Sequence, residues 1–215
     1  MSRLRIRRLL RHVCALLIIA AAAAPAAHAQ QAPPAIGPFA ADVRGAFAHF
    51  GQNQGLASIR NLPAADLPGI GLGVSVDGHW YFLKWHAITF GLGAEALLAR
   101  GHHGATEIGP AVTTRFTTAS PQISFNFGNG QGWSYLSGGI GPGRLAMQDT
   151  SLPPQPSERV TVINYGAGAR WFTTRHLAFT FDIRFYDLQQ KPPSPGQLGN
   201  PHSSMFVGSV GMGLK

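Results

Sequence analysis

From Phe39 to Leu214 the chain divides into eight successive segments, and in almost all of them apolar residues return at every second position. Phe39, Val43 and Phe47 share a face, with Asp42 and Arg44 on the other. Ile70, Leu72, Val74 and Val76 stand against Gly69, Gly71, Gly73 and Ser75. Ile88, Phe90, Leu92, Ala94 and Leu98 alternate with Thr89, Gly91, Gly93 and Glu95. Thr161, Ile163, Tyr165, Ala167, Ala169 and Trp171 alternate with Asn164, Gly166, Gly168 and Arg170. Leu177, Phe179, Phe181, Ile183 and Phe185 oppose Thr180, Asp182, Arg184 and Tyr186. Phe206, Val210, Met212 and Leu214 close the series. A period of two belongs to strands whose two faces meet different surroundings, so helix bundles and coiled coils are excluded. Most segments match the roughly 9–11 residues that a tilted strand needs to cross a bilayer.

Two segments are less regular. In the fourth, Val112, Thr114 and Phe116 oppose Thr113, Arg115 and Thr117, whereas past Pro121 the apolar set is Ile123, Phe125 and Phe127. A proline at a change of phase predicts a bulge within one long strand. Stretch 133–147 is glycine-rich and interrupted by Pro142, and its parity stays open.

The connections alternate too. Those near 83–86, 128–132 and 173–175 are tight, and those at 51–67, 101–109, 149–157 and 189–203 are longer. Short turns at one end and long loops at the other, with an even strand count, predict an eight-stranded antiparallel up-and-down transmembrane β-barrel with periplasmic termini. Trp80, Trp85, Trp133 and Trp171, all four tryptophans of the chain, fall beside the tight turns and are expected to form a periplasmic aromatic girdle.

Charge decides which face meets lipid. Only 12% of the residues are charged, about half the usual share of a globular chain. A soluble lipocalin-like barrel would show its polar face to water. Here that face is mostly Gly, Ser and Thr, which suits the inside of a narrow barrel. The lumen is therefore expected to hold a charge network of Asp42, Arg44, Glu95, Arg115, Arg170, Asp182 and Arg184. Glu95 with Arg115, Asp182 with Arg170, and Asp182 with Arg184 are the pairs that strand neighbourhood suggests. A salt-bridged plug is the expected outcome; a narrow ion path, or a gate that swaps partners, is the alternative.

The formal net charge of +8 misleads until it is divided. Arg3, Arg5, Arg7, Arg8 and Arg11 precede the apolar run 13–24, which ends at Pro25 and Ala27-His28-Ala29. That order predicts a secretory signal peptide over residues 1–29, cleaved after Ala29. A Pro-rich periplasmic leader, 30–38, and the barrel, 39–215, follow. Cleavage leaves twelve basic residues against nine acidic ones and removes the only cysteine, Cys14. Nucleic-acid binding, disulfides and cysteine metal sites are thereby excluded from the mature chain.

The pattern resembles the OmpA/OmpX-like family of small outer-membrane barrels. The segments Lys84-Trp-His-Ala-Ile-Thr-Phe-Gly-Leu-Gly, Ser120-Pro-Gln-Ile-Ser-Phe-Asn-Phe-Gly and Gly132-Trp-Ser-Tyr-Leu-Ser-Gly-Gly are similar to uncharacterised outer-membrane barrel proteins. The resemblance implies a monomer in the bacterial outer membrane, with membrane lipid, lipopolysaccharide and the barrel-assembly machinery as partners, and no cofactor. Fold alone assigns no activity. The family usually ends on an aromatic residue, where this sequence has Gly213-Leu214-Lys215. Either recognition by the assembly machinery tolerates Leu214, or a residue or two is missing. No peptidoglycan-binding domain is expected after the barrel.

The expected role is structural or surface interaction, through the loop carrying Ile59, Arg60 and Leu62 or the one stiffened by Pro192, Pro193, Pro195 and Pro201. A passive pore comes second. Lipid A hydrolysis is third, and would need His202 with Ser203 or Ser204, oriented by Glu107 or Asp187. His49, His102, His103 and His202 share the loop end, but their spacing matches no tight metal motif.

Overall fold

The computed structural model describes residues 38–107, 109–128, 132–149, 151–153 and 157–215. The expected signal, and all of the leader but Pro38, lie outside the described residues. Eight strands follow in chain order: β1 (Phe39–Phe50), β2 (Ile70–Trp85), β3 (Ile88–His103), β4 (Val112–Phe127), β5 (Gly132–Asp149), β6 (Glu158–Phe172), β7 (Leu177–Leu188) and β8 (Ser203–Leu214). Each pairs antiparallel with the next, and β8 returns to β1, closing the barrel. Closure leaves no sheet edge, so every strand finds backbone partners on both sides.

The two ends differ as the spacing predicts. Trp85 pairs with Ile88 across the tight turn of His86 and Ala87, where His86 adopts a left-handed backbone with φ 53°. At the opposite end, the first connection folds into helix α1 (Gln54–Ile59) and a 3-10 turn (Ala64–Asp66). Asn53 caps α1 by accepting from the Leu56 amide at 3.1 Å, and its own side-chain amide donates to the His202 carbonyl. The last connection makes a small hairpin through bridges Lys191–Asn200 and Ser194–Gln197.

The outer face is apolar. Phe39, Val43, Leu72, Val74, Leu92, Ile123, Leu136, Tyr165, Phe179, Phe185, Val210 and Met212 all project outward and are exposed. The inner face changes chemistry with height. Its turn-end half holds Asp42, Arg44, Asp77, Glu95, Gln122, Asn126, Asn164, Arg170, Asp182 and Arg184, all buried. Its loop-end half is a hydrocarbon core of Leu97, Val112, Phe116, Leu145, Val162, Leu188 and Met205, capped by Leu56 and Ala57 of α1. The wholly polar lumen implied by the Gly, Ser and Thr faces is thus only half of it.

This layering corrects the reading of the fourth segment. The pairing of β3 with β4 is unbroken from Ile88–Phe127 to His103–Val112, with no bulge at Pro121. Even-numbered residues point inward along the whole strand: Ser120, Ser124 and Asn126 below, Phe116 above. The strand keeps its phase, and it is the lumen that turns apolar. The bulge lies instead in β2, between Tyr81 and Leu83. β5 is also continuous, pairing with β6 in one register from Gly132–Trp171 to Leu145–Glu158.

Candidate functional site

The charged half of the lumen is the most heavily built polar feature of the molecule. β1, β2 and β3 place Asp42 opposite Asp77 and Asp77 opposite Glu95, an arc of three carboxylates. β6 and β7 supply Arg170 and Arg184 from the facing wall, and β1 adds Arg44. Arg170 donates to Asp42 through Nε at 3.1 and 3.0 Å and through Nη2 at 2.7 Å. Arg44 binds Asp42 at 2.7 Å and also pairs with Asp77. Higher up, Arg184 meets Glu95 at 3.0 Å and Asp182 at 3.1 Å.

Tyr135 joins the two levels. Its hydroxyl donates to Asp182 at 2.9 Å, Arg44 Nη1 approaches that oxygen at 3.3 Å, and Arg170 lies over its ring at 4.3 Å. Gly168 makes room for this ring, because a Cβ there would run into the Tyr135 phenol. Gln122 and Asn164 bond to each other at 2.6 Å, and Arg184 donates to both at 3.1 Å. Tyr186 donates to Glu95. Each carboxylate thus has a guanidinium beside it, which is what keeps several buried ions tolerable.

Six of the seven residues expected in the lumen network stand here: Asp42, Arg44, Glu95, Arg170, Asp182 and Arg184. Arg115 does not. It is exposed on the outer face of β4, in phase with Ala119, Pro121 and Ile123, because the absent bulge leaves the register of the strand unbroken. Glu95 accordingly pairs with Arg184, and Arg170 reaches Asp42 rather than Asp182. Of the three expected pairs, Asp182 with Arg184 forms, at 3.1 Å; the other two do not, because eight strands enclose so narrow a space that arginines reach across it. Asp77 was missed although it shares the parity of Ser75; Tyr135 had no fixed parity to show it.

The tryptophans divide similarly. Trp80, Trp85 and Trp171 are about half exposed on the outer face at the turn end. Trp133 points inward, is 1% exposed, and packs on Phe172 with ring centroids 4.5 Å apart. It therefore lies outside any girdle and closes the turn end of the lumen beside Ala40 and Tyr81. Lys215 Nζ stands 4.9 Å from the Trp133 ring centre.

Of the loop-end residues, His202 Nε2 lies 2.6 Å from Asp187 Oδ1. Among the described residues neither Ser203 nor Ser204 bonds to the ring of His202. His102 contacts Thr113 at 3.1 Å, and His103 faces Asp66 at 3.9 Å. Among the described residues no three His, Asp or Glu converge as metal ligands.

The sequence matches the outer membrane protein beta-barrel domain family over residues 13–212. The chain belongs to that family. The protein is thus a bacterial outer-membrane β-barrel, and its outward apolar belt is a lipid-facing surface. OprG of Pseudomonas aeruginosa is similar in structure, with TM-score 0.50, 11% identity, and coverage of 85% of this chain and 97% of that one. Neisserial surface protein A gives 0.49, 12%, 83% and 96%. Ail of Yersinia pestis gives 0.46, 12%, 82% and 95%. Comparison with curated proteins finds no match.

Proposed function

We propose that this outer-membrane barrel serves a structural or surface-interaction role and conducts no solute through its axis. Its termini and short turns lie in the periplasm, its long loops lie outside, and residues 1–29 are the export signal. Trp80, Trp85 and Trp171 fit the periplasmic lipid interface, where amphipathic rings are stabilised. The observation that carries this reading is the doubly obstructed lumen. Arg44, Arg170 and Arg184 bridge it in the lower half, and Phe116, Leu145, Met205 and α1 fill the upper half.

An ion would have to displace paired buried charges and then cross hydrocarbon, and each step is unfavourable by several kcal/mol. Planar-bilayer recordings of the folded protein are expected to stay silent. Stepwise currents from the native chain would favour the pore reading. Lipid A hydrolysis has one observation behind it, the His202–Asp187 pair. Lipid A mass spectra are expected to be identical with and without the protein.

A further inference from the structure

Four arginines stand outside the lumen in a single row. Arg100 on β3 is directly opposite Arg115 on β4, and Arg144 on β5 is directly opposite Arg159 on β6. Arg115 pairs with Ala146 while Arg144 pairs with Thr117, so the two arginine pairs are diagonal neighbours across the β4–β5 seam. Directly opposed side chains have Cβ atoms about 5 Å apart, and diagonal ones lie within about 7–8 Å. All four are exposed, and among the described residues none of their guanidinium groups makes an ion pair or hydrogen bond. Like charges facing each other destabilise a sheet unless an anion lies between them. The flat guanidinium fork is suited to phosphate oxygens.

The height of the row singles out its partner. Arg100 stands twelve residues from the turn end of β3 at Ile88, and Arg115 stands twelve from Phe127 on β4. At about 3.3 Å per residue and a tilt of about 40°, that is roughly 30 Å, one hydrocarbon thickness. The arginines therefore lie at the headgroup level opposite the tryptophans. The row is one-sided: the outward residues near this height on the other strands include Leu72, Asp187, Ser204 and His49.

An open groove of about 900 Å³ begins directly beneath the row, lined by Leu98, Thr117, Ala119, Ile140, Pro142 and Thr161, with Arg144 and Arg159 at its rim. It follows the seam where pairing of β4 with β5 lapses between Thr118–Gly143 and Gln122–Gly139. Pro121 and Pro142 fall in this gap and have no N–H to leave unbonded in hydrocarbon. Phosphate-binding forks above a lipid-facing apolar trough match the two halves of one amphiphile.

We propose that Arg100, Arg115, Arg144 and Arg159 clamp the phosphates of a phosphorylated outer-leaflet glycolipid, the anchor of lipopolysaccharide, with an acyl chain lying in the groove along Ala119, Ile140 and Pro142. The inference rests on the orientation given above. The full barrel in detergent is mixed with bis-phosphorylated lipid A, its dephosphorylated form, phosphatidylglycerol or inorganic phosphate, and retained lipid is read by native mass spectrometry. Bis-phosphorylated lipid A is expected to be retained at least ~tenfold above the dephosphorylated form and above phosphatidylglycerol, with no displacement by millimolar phosphate.

The variant R100Q/R115Q/R144Q/R159Q is expected to lose that excess, and Ala119→Trp to lower retention by filling the trough. Arg175→Gln, an exposed arginine at the turn end, is expected to change nothing. Heat-modifiable gel mobility establishes that each variant is folded. Equal retention of phosphatidylglycerol, or full retention by the folded quadruple variant, overturns the clamp. Thiol labelling of Ser194→Cys in intact cells tests orientation separately. Labelling only after permeabilisation would overturn the outer-leaflet assignment, whatever the lipid binding in detergent.

Discussion

Arg170 lies inside the barrel with three contacts to Asp42 at 2.7–3.1 Å, whereas Arg115 stands on the outer face of β4. Replacing Arg170 by alanine leaves Asp42 buried and short of a partner, which costs about 3–5 kcal/mol. Arg115→Ala is expected to stay within about 0.5 kcal/mol. Urea-driven unfolding from lipid vesicles measures both. Gly168→Ala is expected to destabilise by about 1–3 kcal/mol, because the added methyl meets the Tyr135 ring and disturbs its bond to Asp182. The tryptophans supply an optical check on side-chain direction. In single-tryptophan variants, brominated lipid is expected to quench Trp80, Trp85 and Trp171 strongly and Trp133 weakly. Strong quenching of Trp133 would place it on the wall.

At the scale of elements, α1 and β4 show how local patterns acquire meaning from their surroundings. α1 is six residues long, too short to persist alone in water. It is held because Leu56 and Ala57 pack into the apolar mouth while Asn53 ties the loop to the His202 carbonyl. Deleting residues 54–59 is expected to leave heat-modifiable mobility intact, since the wall is paired without them. The bilayer is expected to stay silent too, because the charged layer below still obstructs the axis. In β4 the inward residues pass from Asn126 and Ser124 to Phe116 with no break in register. The strand was legible; its face assignment was not, since a period of two reports alternation but cannot say which set is inside. Where both sets contain apolar residues, as around Phe116, only the neighbours decide.

For the whole molecule, charge content and the alternation of turns and loops determined the class. Eight period-two segments with few charges, joined tightly at one end and loosely at the other, can satisfy their backbones in lipid only by closing into a barrel. That much was legible because it depends on sums along the chain. The candidate site was less so. Asp42, Arg44, Glu95, Arg170, Asp182 and Arg184 were marked by parity alone, yet of their partners only the Asp182–Arg184 pair, two apart on one strand, was legible: Arg170 meets Asp42, 128 residues away. Partner choice depends on the stagger of strands around the axis and on the width of the lumen, which no local spacing encodes. The same holds outside. Arg100, Arg115, Arg144 and Arg159 are scattered in sequence and become one row only when four neighbouring strands adopt their register. Alternation and charge content determined by themselves that this chain is an outer-membrane barrel. Closure of the barrel decided which charges cancel inside it and which are left facing the membrane, because contact across a cylinder is a property of the assembled wall.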